Sequence, residues 1–178
     1  MLRRFKDGGD PHREAELMGY ASERGYPVPR VHEVRPNGLV LDYVAGPTMA
    51  ADVEREPRRL LEHAGTLAWL HDELHRIATP EGALLHLDLH WQNVLLTPRG
   101  PVVIDWANAD VGDPHLDNAL TWVILMTSGG ALGREFADAF ALHVDVRSGL
   151  ASAAAFRLAD RNVSAAERSR VGRLLGDR

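Results

Sequence analysis

The sequence contains no cysteine among its 178 residues. This absence excludes disulfide bonds, thiolate metal sites and a cysteine nucleophile. Long apolar runs are also missing, because the best candidate, Ala119 to Met126, is far shorter than the roughly 20 residues that a membrane helix needs. The basic N-terminal residues are not followed by the apolar stretch of a signal peptide. We therefore expect a cytoplasmic protein with no membrane partner.

Basic residues are fewer than acidic ones. The 20 Lys and Arg residues stand against 25 Asp and Glu residues, which leaves a formal net charge of −5. Such a balance gives no electrostatic reason to expect nucleic acid as a partner. Hydrophobic residues make up 45% of the chain, enough for a buried core in one compact domain or in two small lobes.

Apolar periodicity and turn residues predict an α+β chain in which short strands come first and helices follow. Asp10 and Pro11 have the pattern of an N-cap followed by proline in the first helical turn. A boundary near 45–47 divides the chain into a small N-terminal lobe, 1–45, and a helical C-terminal lobe, 46–178. The expected elements are a strand at 2–5 with a turn at 7–10, a helix from Pro11, a hairpin of 31–34 and 39–44, a helix over 57–77, a second hairpin of 84–96 and 101–105, and helices from about 115 onward with breaks near 128–130 and 148–149.

Three side chains that suit phosphoryl transfer lie on the second predicted hairpin. Transfer from a nucleotide requires a divalent metal, hard oxygen ligands for that metal, and an acceptor hydroxyl oriented for in-line attack. Asp105 ends an apolar strand and can bind the metal, and Asn93 can add a neutral oxygen ligand. Asp88 precedes Asn93 by five residues and can accept or orient the hydroxyl proton.

The pattern His-x-Asp-Leu-His-x-x-Asn at 86–93, followed by Ile-Asp-Trp at 104–106, resembles the catalytic and metal-binding loops of the aminoglycoside phosphotransferase and choline kinase-like family. The resemblance implies a two-lobed protein-kinase-like fold, with a small antiparallel N-terminal sheet and a mainly helical C-terminal lobe. It implies that Asp88 is the catalytic base, and that Asn93 and Asp105 hold Mg²⁺.

The same resemblance assigns roles to three further residues of the C-terminal lobe. Asp117 ends the segment Gly-Asp-Pro-His-Leu-Asp at 112–117, and in the family such an Asp braces the catalytic loop. His86 is expected to pack within that loop as a structural residue. His90 could contact the acceptor or a phosphate.

The N-terminal lobe resembles the family less closely. In the family, a basic strand residue reaches the nucleotide phosphates and pairs with a Glu on the following helix. Arg3 and Glu14 occupy those places, with arginine where a lysine is usual. Asp42, Tyr43 and Val44 fall at the family's hinge, where backbone groups bind adenine. These five residues form the expected nucleotide-binding set, with ATP as the co-substrate.

The family's glycine-rich loop, with its two strands, has no counterpart before the first predicted strand. Gly8 and Gly9 follow that strand, so they cannot form the loop. We therefore expect a piece of a longer protein rather than a degenerate family member. A truncated N-terminal sheet would expose a strand edge, through which the protein could self-associate.

These features favour an ATP-dependent, Mg²⁺-dependent phosphotransferase that acts on a hydroxyl group of a small molecule. Acidic side chains of the C-terminal part could receive a cationic acceptor; the candidates are Asp110, Asp138 and Asp145. One alternative is a catalytically impaired nucleotide-binding or assembly module, similar to a pseudokinase.

A second alternative is a metal-dependent hydrolase. His86, Asp88 and His90 alternate along the chain, so an extended backbone would point all three side chains to one side. Two histidines and a carboxylate are a common ligand set for a transition metal. This alternative leaves Asn93 and the strand before Asp105 without a role.

Overall fold

The computed structural model describes residues 1–4 and 10–176. Phe5, the end of the first predicted strand, and residues 7–9 of the predicted turn lie outside the described residues. Strands and helices alternate at first, and helices dominate after residue 113. The strands are β1 (Leu2–Arg4), β2 (Val31–Arg35), β3 (Gly38–Leu41), β4 (Ala78–Thr79), β5 (Gly82–Leu85), β6 (Val94–Thr97), β7 (Gly100–Val103) and β8 (Asp110–Gly112). The helices are α1 (Pro11–Glu23), α2 (Met49–Arg55), α3 (Leu60–His75), α4 (Pro114–Ser128), α5 (Gly130–Phe140), α6 (Leu150–Ala159) and α7 (Ala165–Gly176), with a 3-10 turn at Pro57–Arg59.

The N-terminal sheet is antiparallel and has the strand order β1-β3-β2. Helix α1 begins where the sequence predicts, because the Asp10 side chain accepts hydrogen bonds from the amides of His12 and Arg13, and proline fills the first turn. Its buried face, which includes Leu17, Met18 and Ala21, recurs at helical spacing. Strand β1 is at one edge of this three-stranded sheet, and Arg3 lies opposite Leu39 of β3.

The predicted strand over 84–96 is wrong. The structure divides this segment into β5, an irregular loop at 86–93, and β6. Strand β5 pairs with β4 and β8, whereas β6 pairs with β7, so the two strands belong to different sheets. The break has a local cause: Leu87 adopts a left-handed backbone conformation with φ of 58°, which no continuing strand can contain.

Two apolar clusters hold these layers together. The larger one joins α1 and β3 to α3 and α5, with Met18, Leu39, Leu67 and Phe136 as fully buried members. The smaller one joins β5 and the start of the 86–93 loop to α4, α6 and α7. The loop thus lies over a packed helical base, which restricts its movement.

Within the described residues, no helix combines the length and the apolar character that crossing a bilayer would require.

Candidate active site

Asp88 and Asn93 occupy the loop between β5 and β6 and are bonded to each other. The Asn93 amide nitrogen donates to the backbone oxygen of Asp88 at 2.8 Å and to its Oδ2 at 3.0 Å. Because the nitrogen is used in this way, the amide oxygen of Asn93 is the atom that it can offer to a metal. The left-handed Leu87 turns the chain immediately before Asp88. Such backbone strain persists where surrounding contacts over-determine it, often at functional sites.

Asp105 follows β7 and is held by the N-terminal layer. Its backbone is also left-handed, with φ of 68°. Arg3 Nη2 donates to Asp105 Oδ1 at 2.6 Å, and Arg3 Nε lies 3.2 Å from Oε1 of the buried Glu14. The planar guanidinium therefore contacts two carboxylates at once, through two different nitrogens of its fork. The structure brings together Arg3, Glu14 and Asp105, three residues that the sequence singled out on separate elements.

The electrostatics of Asp88 follow from this crowding. Burial raises the pKa of Asp88 to about 7, and the nearby Asp105 carboxylate acts in the same direction. The positive charge of Arg157 and the hydrogen bond from Asn93 oppose the rise. Burial also raises the pKa of Glu14, against the influence of Arg3. The Asp105 carboxylate thus acts on both Asp88 and Glu14 in the direction that raises their pKa values, and this concentration of negative charge suits a cation.

Asp117, in the first turn of α4, holds the start of the 86–93 loop. Its two carboxylate oxygens accept hydrogen bonds from the amides of His86 at 3.1 Å and Leu87 at 2.8 Å. Burial alone would raise the pKa of Asp117, but the hydrogen bond from His75 and the nearby His71 outweigh it and hold the pKa well below its usual range. His75 and His71 of α3 were not predicted as part of the site; their four-residue spacing on one helix was the available signal.

His86 is fully buried, and its side chain points to the Asp105 segment. Its Nε2 lies 3.1 Å from the backbone oxygen of Ile104, and its ring packs against Trp106 at a centroid distance of 5.0 Å. Burial lowers the pKa of His86. The imidazole thus links the loop that carries Asp88 to the segment that carries Asp105.

His90 lies beside Asp88, with its Nε2 3.6 Å from Asp88 Oδ1. Its Nδ1 accepts a hydrogen bond from the amide of Gln92, which fixes the ring within the loop. The predicted metal group of His86, Asp88 and His90 does not form in the part of the chain that the structure describes, where the one cluster with metal-ligand spacing is elsewhere. The hydrolase alternative therefore has no geometric support.

Arg157 of α6 is a site residue that the sequence did not reveal. Its guanidinium lies 2.8 Å from Glu167 Oε1 and 3.3 Å from Asp160 Oδ2, and its side chain is only 18% exposed. Its charge acts on both Asp88 and His90. No local motif marks Arg157, because the packing of α6 against α4 is what brings this side chain near the 86–93 loop.

The predicted hinge follows β3 without regular structure. Asp42 Oδ1 lies 2.6 Å from His32 Nε2, and the Asp42 backbone N–H donates to the backbone oxygen of Arg30. Tyr43 is 77% exposed. An open cleft of about 670 Å³ runs between 42–45 and the turn that joins β6 to β7. Asp88, Asn93, Asp105, Arg3 and Glu14 do not line it. The cleft therefore touches the predicted hinge but not the predicted catalytic residues.

Two of the acidic residues considered for an acceptor have partners within the protein. Asp110 pairs with Arg13 at 2.6 Å, and Asp145 caps a turn through the amides of Arg147 and Ser148. Asp138 is exposed on α5. The structure does not bring these three carboxylates together with Asp88.

Comparison with known proteins gives a consistent result. Residues 35–156 match the model of a family described as the phosphotransferase enzyme family. The thiamine kinase of Salmonella typhimurium is 41% identical over 59 residues, which are 33% of this chain and 20% of the relative. The chain thus matches about a fifth of the length of that relative.

Among solved structures, choline kinase LicA from Streptococcus pneumoniae has a TM-score of 0.57 to this chain. The likeness covers 98% of this chain and 84% of that chain, at 12% sequence identity. At this level of identity it shows the fold alone, which is kinase-like and α+β.

Proposed function

Because this chain belongs to the phosphotransferase enzyme family, we propose that it transfers the γ-phosphoryl group of ATP to a hydroxyl group of a small molecule. The observation that carries the proposal is the convergence of Asp88 and Asn93 on one loop with Asp105, which the Arg3–Glu14 pair holds in place. Phosphoryl transfer depends mainly on positioning and charge, and this arrangement supplies both.

The side chains fit a hard divalent cation such as Mg²⁺. Asp105 presents an exposed carboxylate, and the bonding of Asn93 to Asp88 leaves its amide oxygen for a ligand. Both are oxygen donors of the kind that Mg²⁺ prefers. When bound with a nucleotide, Mg²⁺ would neutralise charge on the phosphates.

The remaining roles follow from the contacts. Asp88 orients the acceptor hydroxyl and takes its proton, because its carboxylate is fixed by Asn93 and adjoins His90. Arg3 neutralises phosphate charge from the N-terminal side. Thiamine is the first acceptor to test, since a thiamine kinase is among the sequence relatives. The choline kinase supports the fold but no acceptor.

A catalytically impaired nucleotide-binding module is the second candidate. One observation favours this candidate. Arg3 Nη2 donates to Asp105 Oδ1 at 2.6 Å, so Arg3 would compete with a metal ion for that oxygen. If this ion pair persisted with nucleotide bound, the protein would bind ATP without transferring phosphate.

The test combines nucleotide binding with transfer. We expect Mg-ATP to raise the thermal unfolding midpoint, and a panel of hydroxyl-bearing acceptors, beginning with thiamine, to give labelled product from γ-labelled ATP. Asp88→Asn should lower transfer by about 10²–10⁴-fold and keep the Mg-ATP shift, because it removes only the base. Asp105→Asn should remove both transfer and most of the shift.

Asp72→Asn is the matched control, since it makes the same chemical change at an exposed position on α3 that has no proposed role in binding or transfer. It should leave binding and transfer as in the wild type. An equal loss of nucleotide affinity in Asp88→Asn and Asp105→Asn would show that the assigned roles are wrong. A Mg-ATP shift without transfer to any acceptor would favour the impaired module.

A further inference from the structure

Beneath the catalytic loop, His71 and His75 of α3 face Asp117 of α4. His71 and Asp117 are fully buried, and the His75 side chain is 10% exposed. One ligand atom from each residue lies within 4.8 Å of the other two. His75 Nε2 is 3.1 Å from Asp117 Oδ2, and His71 Nδ1 is 3.7 Å from the same oxygen. None of these three side chains faces the phosphate or the acceptor in the proposed reaction.

The hydrogen bonds around His71 determine which of its nitrogens carries the proton. Thr121 Oγ1 donates to the backbone oxygen of Leu89 at 2.6 Å, so the hydroxyl hydrogen is already used. His71 Nε2 lies 3.1 Å from that hydroxyl and 3.3 Å from the Leu89 oxygen. Both neighbours can only accept, so Nε2 must carry the hydrogen and Nδ1 must present a lone pair.

The lone pair of His71 Nδ1 has no hydrogen-bond partner among the described residues and faces a carboxylate oxygen. Two electron-rich atoms in a buried position repel each other unless a cation lies between them. A transition-metal ion satisfies both atoms. A second proton on His71 is the alternative that an experiment must separate.

We propose that His71 Nδ1, His75 Nε2 and Asp117 Oδ2 form a structural site for a borderline transition-metal ion, with Zn²⁺ as the preferred occupant. Two histidines four residues apart on a helix are a recurrent zinc-binding pair. In a tetrahedral zinc site with these donors, adjacent ligand atoms are about 3.3 Å apart. The distances of 3.1 Å and 3.7 Å from Asp117 Oδ2 to the two histidine nitrogens lie close to that value. A hard ion such as Mg²⁺ is disfavoured by the two imidazoles.

The surroundings have the features of a metal site beyond its ligands. The Nε2–H group of His71 points to the backbone oxygen of Leu89, which fixes the orientation of the ring. Asp117 Oδ1 accepts from the Leu87 amide, so the same carboxylate would join the ion to the catalytic loop. Binding would move the hydrogen of the neutral His75 imidazole from Nε2 to Nδ1 and replace the hydrogen bond from Nε2 to Asp117 with a metal bond. The partly exposed His75 offers the path of entry.

The test measures Zn²⁺ bound to the full chain after chelator treatment. The protein is mixed with one equivalent of Zn²⁺ in excess Mg²⁺, desalted, and analysed for zinc, with Co²⁺ as a spectroscopic probe of the ligand geometry. We expect one retained zinc ion per chain and a higher thermal midpoint. Wild-type protein that retains no zinc would overturn the proposal and leave a protonated His71 as the explanation.

Two variants locate the ion. His75→Gln keeps an N–H donor for Asp117 but loses the ring nitrogen, and should weaken zinc binding by on the order of tenfold or more. Thr121→Val removes the hydroxyl that orients His71 and should weaken binding without removing a ligand. His143→Gln, at an exposed histidine, is the matched control and should bind as the wild type.

Asp105→Asn separates this site from the catalytic centre. The variant should retain zinc, because Asp105 is not among the proposed ligands. If it loses zinc while His75→Gln retains it, the ion belongs to the catalytic centre and the proposal fails. Loss of phosphate transfer in any variant has no bearing on this result, since zinc content alone is measured.

Discussion

Arg3 shows how one side chain can join two parts of the site. Its guanidinium contacts Glu14 of α1 and Asp105 at the same time, and Glu14 is only 3% exposed. Burial raises the pKa of Glu14, while Arg3 lowers it. A buried carboxylate whose pKa is raised stabilises the fold when protonated and costs stability as the pH rises through that pKa. Because Arg3 lowers the pKa of Glu14, we expect it to reduce the stability that the ionised Glu14 costs at neutral pH.

Arg3→Met tests this expectation. Without the guanidinium, the pKa of Glu14 rises further, so the loss of stability should be largest near pH 7 and should shrink as the pH falls toward 5. We expect a loss on the order of 1–3 kcal/mol in the free energy of unfolding at pH 7, measured by urea denaturation.

Glu14→Gln provides the second half of a double-mutant cycle. Because glutamine cannot ionise, Arg3→Met in the Glu14→Gln background should cost less than in the wild type and should depend less on pH, with the Arg3–Asp105 pair as the remaining charged contact. Equal costs in both backgrounds would show that the two side chains are not coupled.

At the scale of elements, the placement of α6 depends on close contact between backbones. A Cβ atom at Gly149, just before α6, would lie 1.9 Å from the backbone oxygen of His115 in α4. Backbone atoms cannot move aside as a flexible side chain can, so glycine is required here. Helix α6 also carries Arg157, whose charge acts on Asp88.

Gly149→Ala should therefore destabilise the protein by on the order of 2 kcal/mol, because α6 must shift away from α4. Gly172→Ala is the matched control in α7: its added methyl group would meet no atom within 4 Å. Alanine in a helix interior is favoured over glycine, so this variant should gain about 0.5–1 kcal/mol. Thermal or urea unfolding measures both, and a neutral Gly149→Ala would contradict the packing argument.

At the scale of the whole molecule, the predicted division into 1–45 and 46–178 does not coincide with a gap in the core. Met18 and Leu39 belong to the same apolar cluster as Leu67 and Phe136. Tyr26 adds a buried hydrogen bond from its hydroxyl to the Leu70 backbone oxygen at 3.0 Å. Shared burial of this kind couples the stability of the two parts.

We therefore expect the two parts to unfold in one cooperative step. Native-state hydrogen exchange should give the same opening free energy for amides in the centre of β3 and of α3, equal to the global free energy of unfolding. A lower opening free energy in β3 would show that the N-terminal part unfolds separately.

The sequence predicted those features that depend on local chemistry. The cap formed by Asp10 and Pro11 fixed the start of α1, and the turn at 36–38 fixed the first hairpin. The strand over 84–96 was wrongly predicted because alternation of apolar and polar residues also occurs in a loop whose apolar side chains, such as Leu87 and Leu89, are buried. Periodicity cannot distinguish these two cases.

By itself, the sequence determined the fold family and the order of Asp88, Asn93 and Asp105, because their spacing along one segment is a local property. Only the tertiary structure decided that Arg3 reaches Asp105, that Arg157 acts on Asp88, and that His71 and His75 meet Asp117. These contacts join residues from separate elements. They exist because burial of the apolar clusters brings those elements together, and no local pattern records that outcome.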